Sequence, residues 1–114
     1  MINSSSRESI FALSTSYGQS AIAVIRISGE QAKKIAGRVC GRTKLAQRYA
    51  YLCKIKDLQG KLIDEGMVVF FKSPKSYTGE DLLEIHTHGS IAVINRLIKV
   101  LSDFPQTRPA LPGE

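Results

Sequence analysis

The stretch AIAVIRIS, residues 21–28, is apolar on both faces except for Arg26. A period-2 element with no polar side reads as an interior strand, so the chain has to supply further strands beside it and a layer to cover it. The residues that follow change period. Ala32, Ile35, Ala36, Val39 and Cys40 recur at helical spacing and form one buried stripe, with Lys33, Lys34 and Arg38 on the outer face. Ser28 with Gln31 three residues on predicts a capping box at the helix start, and Gly41 predicts its stop.

The other elements fall into place around this strand–helix unit. Residues 9–14 (SIFALS) predict a short first strand, and TSYGQS a loop. Residues 49–56 alternate Tyr49, Tyr51, Cys53 and Ile55 on one face. After the turn DLQGK, residues 62–72 return as a longer strand, with Gly66 marking a candidate bulge. LLEIHTH, residues 82–88, is the next strand. A second amphipathic helix is predicted at about residues 90–102, with Ile91, Ile94, Leu97, Ile98 and Leu101 inward. The tail FPQTRPALPGE is proline-rich and carries no period. The order ββαβββα, with hairpin-short connections, predicts an α+β fold: a mixed, mostly antiparallel sheet with two helices packed on it. The 114 residues, 43% of them hydrophobic, suit one globular domain over residues 1–114.

Several function classes are set aside. No apolar run approaches the roughly 18–20 residues that cross a bilayer. The N-terminal residues show no apolar core with a cleavage site, so no secretory signal is expected. Cys40 and Cys53 form no CxxC pair and are expected to be reduced core thiols of a cytoplasmic protein. There is no GxxxxGK[ST], hence no phosphate-cradling P-loop. The net charge of +6 is concentrated in residues 33–61, where nine lysines and arginines face only Asp57. That stretch is either a solvated face or a surface that attracts phosphate backbones; no signature of interleaved aromatics accompanies it.

The densest chemistry lies in SYTGEDLLEIHTHGS, residues 76–90. Alternation puts Leu83, Ile85 and Thr87 on one face of the strand and Glu84, His86 and His88 on the other. Three readings follow. His86 and His88 with Glu84 could ligate a metal, although the chain has only two histidines and a catalytic zinc needs three placed ligands. Glu84 could share acid–base work with Glu80 or Asp81, which precede the strand and suit capping or backbone hydrogen bonds better. Glu84 could instead join Arg26: each is the lone charge in a strand that otherwise reads as buried, so each needs the other or a polar ligand.

AIAVIRISG, SYTGEDLLEIHTHGS and the final PGE resemble the N-terminal domain of the MnmE/TrmE family of tRNA-modification GTPases, in the right order and separation over about residues 8–114. The resemblance implies a fold like the tetrahydrofolate-binding domain of aminomethyltransferase-type proteins. It implies binding of a one-carbon tetrahydrofolate such as the 5-formyl form, and a homodimer. Arg26 and Glu84 match the family's folate-contacting arginine and glutamate. No catalytic residue and no metal ligand is expected; His86 stands where the family commonly has glutamine. GTP, Mg and K belong to the family's G domain, which with its helical domain is absent from these residues, so no GTPase activity is expected of them alone. In the full-length family the implied partners are an MnmG-type protein and tRNA, whose wobble uridine is modified; no membrane is involved. The sequence departs from the family at Ser16–Gly18 (SYG for PPG), at Ser90 (HGS for HGG) and at Leu111 (Leu for Arg before PGE). Further folate contacts of the family lie beyond PGE. Two other expectations remain: an interaction module that dimerises without folate, and a small basic RNA-binding domain.

Overall fold

The computed structural model describes residues 8–14, 21–74, 76, 78–112 and 114. The expected loop TSYGQS, with the family departure at Ser16, lies outside the described residues. Among these, the chain forms β1 (Ser9–Leu13), β2 (Ile22–Ser28), α1 (Ala32–Cys40), β3 (Ala50–Lys56), β4 (Leu62–Phe71), β5 (Leu82–His88), α2 (Ile91–Asp103) and β6 (Thr107–Pro109). The strands make one sheet in the order β3-β4-β5-β2-β1-β6. Every neighbouring pair is antiparallel except β1 and β6, which run parallel. This is the mixed, mostly antiparallel α+β arrangement expected from the pattern.

β2 is interior, flanked by β1 and β5. Its side chains Ala23, Ile25 and Ile27 are buried, and Ile25 and Ile27 join Val68, Phe70, Leu83 and Ile85 in one core. Both helices close that core from the same side. The α1 stripe contributes Ala32, Ile35, Ala36, Val39 and Cys40, as its spacing predicts, while α2 contributes Leu97, Val100 and Leu101. Ile91, expected inward, is exposed, because the helix turns the 94–97–101 side to the sheet and Val100 fills the flank. The other face of the sheet carries Val24, Arg26, Met67, Glu84 and His86, and the described residues place no helix over it.

Four local expectations change. Ser28 does not cap α1: it ends β2, and its hydroxyl bonds Thr78 Oγ1 (2.7 Å) and Glu80 Oε1 (3.0 Å). Gln31 takes the capping position without a side-chain cap, and its N–H donates instead to Ser9 Oγ at 2.8 Å. Between the two, Gly29 turns at φ 129°, where a Cβ would stand 2.9 Å from Ser9 Cα. At the other end Gly41 is left-handed, as expected, and closes the helix onto Ala36 O. Gly66 is not the bulge; it pairs regularly with Cys53, and the β3–β4 register shifts between Ile55 and Lys56. The proline-rich tail holds a strand: β6 lies beside β1, fastened by Ser9 N–H to Gln106 O and Ala110 N–H to Phe11 O, each 2.9 Å.

Two departures from the family pattern have structural roles or surroundings here. Ser90 is the N-cap of α2 and accepts from Val93 N–H at 3.4 Å, a kind of contact that contributes about 1 kcal/mol relative to alanine. Leu111 is exposed, and its N–H donates to Glu114, whose carboxylate also takes a two-pronged grip from Arg108 at 2.7 Å on each oxygen. The Arg108 fork, then the Leu111 N–H, hold the Glu114 carboxyl down at about 2.

Candidate functional site

Arg26 and Glu84 are brought together by register. β2 and β5 pair antiparallel with Arg26 directly opposite Glu84 and Val24 opposite His86. Residues opposite one another across an antiparallel pair project to the same side, so the two charges meet on the helix-free face. Arg26 Nε donates to Glu84 Oε2 at 2.8 Å, and His86 Nε2 lies 3.2 Å from Glu84 Oε1. Glu84 is only 8% exposed, whereas the Arg26 side chain is 45% exposed. The carboxylate is therefore nearly desolvated and held by charge-assisted contacts, while the guanidinium stays in reach of solvent.

An ionised carboxylate has about four lone-pair sites, and the two named contacts use two. Glu84 can thus accept further N–H bonds from a ligand edge without first losing Arg26. Beside it, Val24 and Val69 are half-buried and Met67 is exposed, so the carboxylate sits in an apolar surround. A small planar group with adjacent N–H donors and apolar faces suits this set, and a carbonyl or carboxylate on the same ligand suits the guanidinium.

The other candidates are committed elsewhere. Asp81 Oδ1 accepts from Ser73 N–H at 2.9 Å, the backbone role expected of it, while the Glu80 carboxylate accepts from the Ser28 hydroxyl rather than from a backbone N–H. His86 and His88 turn to different carboxylates: His88 Nδ1 lies 2.9 Å from Asp64 Oδ1, and its backbone N–H donates to Asp64 Oδ2 at 2.8 Å. Burial pushes the Asp64 carboxyl up, but these two bonds and one from Glu65 N–H outweigh it and leave the group below its ordinary value. No group of three or more His, Cys, Asp or Glu gathers at ligand distance among the described residues.

The comparisons with known proteins agree on one family. A family model described as "GTP-binding protein TrmE N-terminus" matches residues 9–114. The chain belongs to that family. It is 49% identical over 108 residues to the tRNA modification GTPase MnmE of Dinoroseobacter shibae, covering 94% of this chain and 25% of that protein. The proteins of the same name from Rhodopseudomonas palustris (45% over 109 residues, 96% and 24%) and Parvibaculum lavamentivorans (43% over 108 residues, 94% and 25%) are comparably similar. The chain spans about a quarter of the length of these relatives.

This TrmE N-terminus chain also holds a feature that sequence spacing does not reveal. A cavity of about 840 Å³ opens where the end of α1 meets β3 and β4; neither Arg26 nor Glu84 lines it, but Met67 does. Arg38, Arg42, Lys54 and Lys56 line it, with Glu65 as the single carboxylate. Arg42 crosses the edge of the sheet, donating to Leu52 O, and lies over the Tyr51 ring at 5.1 Å. That contact occupies an outward carbonyl of an edge strand. Part of the basic stretch is therefore gathered around one concavity. Other members lie along the sheet, such as Lys33, 5.7 Å over the Phe70 ring. Among the described residues, no helix is long and apolar enough to cross a membrane.

Proposed function

We propose that this chain is the reduced-folate-binding and dimerisation module of a tRNA-modification GTPase. The observation that carries the reading is the Arg26–Glu84 pair: an almost buried carboxylate with acceptor capacity beyond its two named contacts, set beside a partly exposed guanidinium on the sheet face over which the described residues place no helix, in a chain of the TrmE N-terminus family. Glu84 reads the N–H edge of a pterin, and Arg26 meets a carbonyl or carboxylate of the same ligand. A one-carbon tetrahydrofolate, the 5-formyl form first, fits that demand. The module acts within a longer protein. GTP, with Mg and K, is bound and hydrolysed by the G domain of that protein; tRNA and an MnmG-type protein are its partners, and the cytoplasm is its setting.

The dimer reading rests on the same face. Ile22, Leu52 and Met67 are exposed there, and Val24, Val69 and Phe71 are only half-buried. A second copy would cover this apolar surface and bring the folate sites close to the contact. Sedimentation at tens of micromolar should give a dimer, and saturating 5-formyltetrahydrofolate should tighten it. A clean monomer with and without the folate would refute the dimerisation half of the reading.

Folate binding and RNA binding are separable. The gathering of Arg38, Arg42, Lys54 and Lys56 favours an RNA-phosphate contact as the second reading. Binding of tRNA that weakens with salt and survives both Arg26→Ala and Glu84→Ala, in a chain that takes up no folate, would replace the first reading with this one.

A further inference from the structure

Cys40 and Cys53 are adjacent in space. Cys40 is the last residue of α1 and is buried; Cys53 lies in the middle of β3 and is half-buried. α1 packs on β3, and both thiols line the basic cavity. Cys53 stands opposite Gly66 in the β3–β4 ladder, so no side chain on β4 covers it from that position. Reactive cysteines occupy settings of this kind, partly exposed and electropositive, while buried ones stay inert until a neighbour presents a reactive sulfur.

We propose that Cys40 and Cys53 form a redox site in which Cys53 is oxidised by a hydroperoxide and Cys40 resolves it to a reversible intrachain disulfide. The two thiols are unequal. The neighbouring Cys40 thiol holds the Cys53 thiol below its ordinary value against the effect of burial, and the nearby Arg42 adds to this. The same contact with Cys53, then burial, pushes Cys40 well up. The Cys53 thiolate attacks one peroxide oxygen. The O–O bond breaks, the second oxygen leaves as hydroxide or alkoxide and is protonated by solvent, and Cys53 becomes a sulfenic acid. Cys40 sulfur then attacks Cys53 sulfur. The S–O bond breaks, hydroxide leaves as water with the Cys40 proton, and the S–S bond forms. Two thiols and one hydrogen peroxide thus give one disulfide and two waters. A dithiol reductant reverses the outcome by exchange. The product ties the end of α1 to β3 and reshapes the cavity between them.

Hydrogen peroxide is added to the folded chain, free thiols are then alkylated under denaturing conditions, and the intact mass is read. A monomeric chain carrying no alkyl group, two hydrogens lighter and restored by dithiothreitol, is the expected product. Without oxidant at neutral pH, Cys53 should alkylate on the order of tenfold faster than Cys40, reflecting its larger thiolate fraction. Cys40→Ser should stop at a sulfenic acid on Cys53 that a 1,3-diketone traps. Cys53→Ser should give no trapped product at Cys40. The proposal is overturned if both thiols of the parent remain alkylatable after peroxide, if the disulfide forms only between chains, or if Cys40 is the faster thiol. The parent's mass change decides the matter even if a serine variant fails to fold.

Discussion

Leu83→Ala is expected to cost about 2–5 kcal/mol of stability. Leu83 is fully buried at the centre of the sheet, between Ile27 on β2 and Phe70 on β4, and both helices contribute to the core it belongs to. Removing three carbons there loses transfer free energy and leaves a cavity that a rigid sheet cannot collapse to fill. For a domain of about 100 residues each kcal/mol moves the melting midpoint by roughly 4–8 °C, so the variant should melt at least about 8 °C lower. Leu62→Ala is the control, since Leu62 of β4 is 50% exposed and should change stability by no more than about 0.5 kcal/mol. Equal melting of the two variants would mean that the strand faces are assigned the wrong way round.

Gly66→Ala should be nearly as damaging for the opposite reason. A Cβ at Gly66 would lie 2.0 Å from the carbonyl oxygen of His86 and 3.1 Å from Ile55 Cδ1. The nearer obstacle is backbone, so β4 and β5 would have to separate where their ladder begins at Met67 and His86. Overpacking usually costs about 1–3 kcal/mol, and this site belongs at or above the upper end. Urea denaturation measures the loss, and hydrogen exchange should show it concentrated along β5. The same change at Gly37, inside α1, meets only Thr43 Cγ2 at 3.6 Å and should stabilise by about 0.5–1 kcal/mol. A Gly66→Ala variant as stable as its parent would rule out the close approach of β4 to β5.

Gly66 also shows where sequence reading stops. A glycine inside a strand pattern signals a close approach or a bulge, and only the neighbouring strand decides between them. Here the approach is to β5, while the irregular pairing lies near Ile55 and Lys56, where no glycine marks it. Long periodic segments were legible because burial imposes the period: the α1 stripe and the two faces of LLEIHTH stand as their spacing predicts. β6 was not legible, because its three residues are fixed by backbone pairing to β1 and leave no pattern in the side chains. Ser28 offered a plausible capping box, but its hydroxyl was taken by Thr78 and Glu80, some fifty positions away. The Arg26–Glu84 meeting was legible as a need, since two lone charges in apolar strands require partners, and register supplied the geometry. The thiol pair left no such sign, because a helix end and a strand centre become neighbours only through packing.

The most direct test of the folate reading is calorimetric titration of 5-formyltetrahydrofolate into the parent chain and into Glu84→Gln, with thermal melts on both. Glutamine keeps the size of the side chain but replaces one acceptor oxygen with a donor and removes the charge, so it sets donor against donor at a pterin N–H edge. The loss of a charge-assisted contact predicts a cost of about 1.5–3 kcal/mol, roughly ten- to a hundred-fold in affinity, in a variant that remains folded. Equal affinity of the folded variant and the parent would contradict the assignment of Glu84 to the ligand, and a parent that takes up no folate would contradict folate binding by these residues.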